Sequence, residues 1–153
     1  MKNKLAIGAL ALAVLFTSSS ALAAKPEGLT SFKGRLDSLV VRMDGILDRF
    51  EAVMVKAEAK GYDTSNAEDA YDAVIAKQDA AKAEVEALKT LIDETIAGGV
   101  VTPTAEIRTQ TKETKDALMA YRDSVKELRD ELREAIENKK GEAEDAPADE
   151  PAL

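Results

Sequence analysis

Residues 29–57 read "LTSFKGRLDSLVVRMDGILDRFEAVMVKA". Their apolar residues repeat every seven. Position a holds Leu29, Leu36, Met43, Phe50 and Ala57; position d holds Phe32, Leu39, Ile46 and Val53; position e adds Val40, Leu47 and Met54. Three apolar sites in seven form a stripe wider than the seam of a two-stranded coiled coil. One partner helix would leave part of it wet, so the stretch predicts at least three helices in one core.

The rest of the chain supplies the other two. Helix 1 is expected from about Thr30 to Lys60, with Gly61 as its stop. A second helix should begin near Ser65, where Ser65 and Glu68 fit an S-x-x-E capping box. Its stripe is Tyr71, Val74, Ile75, Ala81, Val85, Leu88, Ile92 and Ile96, interrupted by Gln78 and closed by Gly98-Gly99. A third should open at Thr102-Pro103, with Pro at the first helical position. Its stripe is Ile107, Thr111, Thr114, Leu118, Tyr121, Val125, Leu128, Leu132 and Ile136, fading near Lys140. Short corners between long helices predict an all-α, antiparallel up-down-up three-helix bundle over residues 24–140. The ending "GEAEDAPADEPAL", residues 141–153, is acidic and poor in apolar side chains, so it is expected to be disordered.

Outside the bundle, the N-terminus has the parts of a secretory signal peptide over residues 1–23. Lys2 and Lys4 precede an apolar run from Leu5 to Phe16, and Ala21 and Ala23 place small residues before a cleavage point at Ala24. The run is short for a bilayer span. The expected protein is therefore exported, periplasmic or extracellular, with no stable membrane span after processing. Removing residues 1–23 takes away two lysines and no acids, which moves the net charge from −8 to −10. That balance argues against nucleic acid and against simple adhesion to anionic lipid.

The charged residues form rows. On helix 1, Arg35, Arg42, Arg49 and Lys56 occupy position g, and Asp37, Asp44, Glu51 and Glu58 occupy b. Helix 2 carries an acidic b row, Asp72, Asp79, Glu86 and Asp93. Helix 3 carries a basic e row, Arg108, Lys115, Arg122 and Arg129. For antiparallel helices 2 and 3, the pairs Asp93–Arg108, Glu86–Lys115, Asp79–Arg122 and Asp72–Arg129 share one register, each summing to 201 in residue number. The expected winding brings these rows together, since the opposite winding sets like charges side by side. Gln78 and Tyr121 fall near one level, where a hydrogen bond between them could fix the register.

The chain contains no His and no Cys. Histidine- or cysteine-dependent nucleophilic sites, the usual zinc sites and disulfides are therefore excluded. The corner "KGYDTSNAEDAYD", residues 60–72, is acidic, but as a calcium loop starting at Asp63 it puts Glu68 where Gly is required and Val74 where Glu is required. No catalytic, cofactor or metal site is expected, and the reading is a non-enzymatic protein. Its partner is a protein of unknown identity, and a homo-oligomer is possible.

The corner, with Gly61, Asp63, Thr64 and Ala67, resembles the G-x-D-T/S-x-x-A corner of small exported coiled-coil proteins of bacteria. The similarity covers about residues 29–97 and implies no particular activity. By signal peptide, size and helix content the chain also resembles periplasmic helical chaperones, which implies the alternative of shielding apolar clients. It lacks the L-T-x-x-Q motif of one such family and the basic client-facing surface common among them. The leading expectation is a bundle acting through protein–protein contacts or as an envelope structural component.

Overall fold

The computed structural model describes residues 26–99 and 103–144. The signal peptide with Ala21, Ala23 and Ala24, the residue Thr102 and the tail segment 145–153 lie outside the described residues. Three helices account for almost all of the rest: α1 over Pro26–Glu58, α2 over Ser65–Ala97 and α3 over Ala105–Glu144. They pack up-down-up as an all-α three-helix bundle.

The helix stops follow from glycine. Gly61 takes a positive φ of 71° and Gly99 one of 73°. At the end of α1, the Gly61 N–H donates to the Glu58 carbonyl (2.7 Å) and the Tyr62 N–H to the Ala57 carbonyl (3.1 Å). This pair of bonds is the Schellman motif, which satisfies carbonyls that the helix leaves open. Gly141, by contrast, stays helical, and α3 runs four residues past the expected Lys140. A glycine ends a helix by turning left-handed; one that keeps helical angles costs only about 1 kcal/mol against Ala.

The helix starts differ from expectation in their capping. The Ser65–Glu68 capping box does not form. Asp63 Oδ1 accepts the Ser65 N–H (3.1 Å) and the Ser65 hydroxyl (2.6 Å), while Glu68 accepts the Thr64 hydroxyl (3.0 Å). An Asx-type turn thus leads into α2 at the predicted residue by another route. α3 begins two residues late, because Thr104 Oγ1 accepts the Ile107 N–H (3.2 Å) and caps the helix there.

The packing falls into two apolar clusters. One joins Met43, Phe50 and Met54 of α1 to Val74 and Ala81 of α2 and to Leu118, Tyr121, Leu128 and Leu132 of α3. The other joins Leu29 and Leu36 to Val85, Leu88, Ile92 and Ile107. Polar residues lie at the changeover. Thr114, buried, holds its single hydroxyl donor within reach of the Gln110 carbonyl (2.8 Å) and of the Glu84 carbonyl across the α2–α3 seam (3.1 Å). Gln110 Nε2 reaches the Glu84 carboxylate. Among the described residues every buried side-chain polar atom has a partner, as a stable interior requires. The α2 and α3 backbones approach one another more closely than α1 approaches either. Small residues on the facing sides, Ala67, Ala81, Thr114 and Ser124, permit that closeness.

The wide stripe of α1 is only partly consumed. All its a positions are buried, but Phe32, Val40, Ile46, Leu47 and Val53 remain half-buried.

Candidate functional site

Three ion pairs set the α1–α2 seam: Lys33–Asp93, Lys89–Asp37 (2.7 Å) and Lys82–Asp44 (2.6 Å). In each, the two residue numbers sum to 126, so one antiparallel register runs along the seam. Asp37 and Asp44 belong to the acidic b flank of α1, and Asp93 to the acidic b row of α2. The two acidic rows therefore lie along the same seam, with lysines between them.

This overturns the expected winding. Asp93 pairs with Lys33 instead of Arg108. Arg122 and Arg129 bond Asp123 (3.0 Å) and Asp130 (2.7 Å) of their own helix instead of Asp79 and Asp72. The reason lies in the positions of three lysines. Lys33 of α1 and Lys82 and Lys89 of α2 occupy e sites, nearer the seam than the b rows. Lys89 is only 17% exposed at its side chain. Its bonds to Asp37 and Glu86 raise its pKa. Charges at the edge of the core outweigh charges farther out, because solvent screens them less.

Gln78 and Tyr121 also find other partners. Gln78 Nε2 donates to Asp44 Oδ1 (3.0 Å), and the buried Tyr121 hydroxyl donates to the Met43 carbonyl (3.2 Å). Each fixes α1, at adjacent residues, without meeting the other. Burial first, and then the nearby Asp44 charge, push the Tyr121 phenol well above its usual range.

The winding exposes a second consequence on the opposite side of α1. With α2 against the b and e flank, the g flank turns toward α3. α3 meets α2 through its own g side, as the Gln110–Glu84 bond shows, so its e row turns toward α1. The Tyr121–Met43 bond sets the level, and α1 and α3 run parallel. Arg35 and Lys115, Arg42 and Arg122, and Arg49 and Arg129 then come to similar heights, each pair separated by 80 in sequence. Two basic rows flank one seam. Lys112, Lys126 and Arg133 widen the basic strip on α3, with acids Asp123, Asp130 and Glu137 along its outer edge. Arg35, Arg42, Arg49 and Lys56 make no ion pair among the described residues. Both rows were visible in the sequence; what was missed is that they meet.

A cleft of about 300 Å³ lies at the α1–α2 corner, bounded by Gly61, Asp63, Ser65, Asn66, Glu131 and Glu134 among others. Asp63 is engaged with Ser65, whose hydroxyl and N–H hold its carboxyl below the usual carboxylate range. Among the described residues no three acids gather to hold a metal ion, and no helix is long and apolar enough to cross a membrane.

Fold and surface define a class: a three-helix bundle with charge sorted to different faces. Comparison with protein-family models, with curated proteins and with solved structures gives no match to this chain.

Proposed function

We propose that the chain is an exported, non-enzymatic helical bundle that acts by surface contact in the cell envelope, as a structural component or a protein-binding partner. The observation that supports this is the basic strip along α1 and α3 in a chain of net charge −8. Long rows of outward cations suit contact with an extended anionic surface better than they suit chemistry on a small substrate. Among the described residues the exposed large apolar side chains, Val41, Val55 and Met119, are scattered along the helices. A surface that shields apolar clients would gather such residues into one patch, so contact through charge is favoured over the chaperone alternative.

The test is in-cell crosslinking of the processed protein in its own envelope, followed by identification of what is joined to it. A stable, stoichiometric product with an envelope component is the expected result. Recovery of the chain solely in the cytoplasm, with its N-terminal segment intact, would sink the proposal.

A further inference from the structure

We infer that the α1–α3 face is a docking surface for an anionic phospholipid bilayer, on which the bundle lies flat. The inference rests on the envelope location proposed above and adds the chemistry of the surface contacted.

From Arg35 to Lys56 and from Arg108 to Arg129 each row spans 21 residues, about 31 Å of helix. Two parallel helices side by side present a strip and not a cup, and the cleft described above lies elsewhere, at the α1–α2 corner. Beside the exposed α1 cations, the c positions hold small residues, Ser31, Ser38, Gly45 and Ala52. They let a flat partner approach closely. On α3, Met119 is 38% exposed between Lys112 and Lys126 in the b row, an apolar side chain placed to enter the headgroup layer.

Net charge argues against anionic lipid only when charge is spread evenly. Here acids line the α1–α2 seam and the outer edge of α3, while the strip between α1 and α3 is cationic. An anionic surface attracts the basic residues near it, and the field fades within about 8–10 Å at ordinary salt. The acids of the α1–α2 seam are thus largely screened from a bilayer touching this strip, whereas Asp123, Asp130 and Glu137 lie within it, paired with Arg122, Lys126, Arg129 and Arg133, so the α1 row carries most of its uncompensated charge.

The winding leaves Arg42 and Arg49 without an ion pair among the described residues, on the same seam as Arg122 and Arg129, which bond Asp123 and Asp130 of their own helix, although the α1 and α3 rows could have been paired with acids by the opposite winding. Local conflicts that a fold retains concentrate at functional surfaces. An anionic bilayer relieves this one.

The experiment is flotation of the full chain with vesicles of phosphatidylglycerol and phosphatidylcholine, and with phosphatidylcholine alone. The neutral vesicles report what the apolar N-terminus contributes. The test variants are Arg35→Glu/Arg42→Glu/Arg49→Glu/Lys56→Glu and the milder set with Gln at the same positions. Lys77→Glu, off the strip, is the control, and circular dichroism checks each fold. Binding to the anionic vesicles should fall as salt rises, and on the order of a hundredfold with the fourfold Glu variant. The Gln set should lose less, and Lys77→Glu should bind as the parent does. Equal binding to both vesicle types, or full retention by a folded Glu variant, overturns the inference. So does tighter, strip-dependent binding to DNA or to a second copy of the chain. A stoichiometric protein crosslink in the envelope without vesicle binding would overturn this inference and leave the proposed function standing; vesicle binding by a chain never found in the envelope would do the reverse.

Discussion

The two seams of α1 differ in how they treat charge. Toward α2, acids of both helices alternate with Lys33, Lys82 and Lys89 in a single register. Toward α3, the two basic rows share the seam, and the Tyr121 hydroxyl donates to the Met43 carbonyl. The first seam is specified by electrostatics and the second tolerates them. Apolar burial supplies most of the stability at both, since exposed ion pairs contribute only about 0–1 kcal/mol each. Charge then selects between windings of similar apolar content. The lesson is that a few cations at the core edge can decide a winding against longer rows set farther out.

The largest test of this contrast is Tyr121→Ala. It removes a fully buried ring that joins α3 to α1 and should cost about 3–5 kcal/mol in urea unfolding. Tyr121→Phe keeps the ring and loses only the hydroxyl bond, so a loss of about 1 kcal/mol is expected. Equal losses for the two variants would mean that the hydrogen bond, and not packing, holds the α1–α3 seam.

Lys89→Glu attacks the other seam. It sets a third carboxylate beside Asp37 and Glu86 and should cost about 1 kcal/mol at low salt, less at high salt. A variant as stable as the parent at low salt would show that these lysines do not select the winding.

Alkaline titration reads both seams together. The Tyr121 and Lys89 pKa values are raised above 10.0 and 10.5. Groups raised in the folded state stabilise it fully below their unfolded values, and that stability is lost as pH rises through the folded ones. Thermal stability should therefore hold up to about pH 10 and fall beyond it. Tyr121→Phe should flatten the fall; an unchanged alkaline profile would contradict the buried phenol.

The smallest effect has the opposite sign. Arg42→Glu puts an acid into the α1 row that shares a seam with Arg122 and should stabilise the bundle by a few tenths of a kcal/mol. The gain should shrink with added salt. A destabilised Arg42→Glu variant, followed by thermal melting at low salt, would show that the basic rows do not repel across the seam.

Much of the fold was legible because it depends on local chemistry. The seven-residue spacing from Leu29 to Ala57 called for three helices, Gly61 and Gly99 turn where the sequence placed them, and α2 begins at Ser65. Boundaries were less legible where several residues could do one job: Thr104 caps α3, which starts two residues past the expected Pro103, and Asp63 does the work assigned to Ser65. The candidate surface was legible only as separate rows. Arg42 and Arg122 stand 80 residues apart, and no local rule says that their rows will adjoin.

The sequence by itself determined that this chain forms long amphipathic helices, and where glycine turns them, because periodicity and left-handed corners act over a few residues. It also determined that histidine and cysteine chemistry is absent, since neither residue occurs. Only the tertiary structure decided which flanks meet. Both windings bury similar apolar stripes, and the choice rests on a small difference, set where Lys33, Lys82 and Lys89 reach across to acids that are distant in sequence. That choice sent the acids to one seam and the arginines to the other, giving a net-acidic chain a basic face.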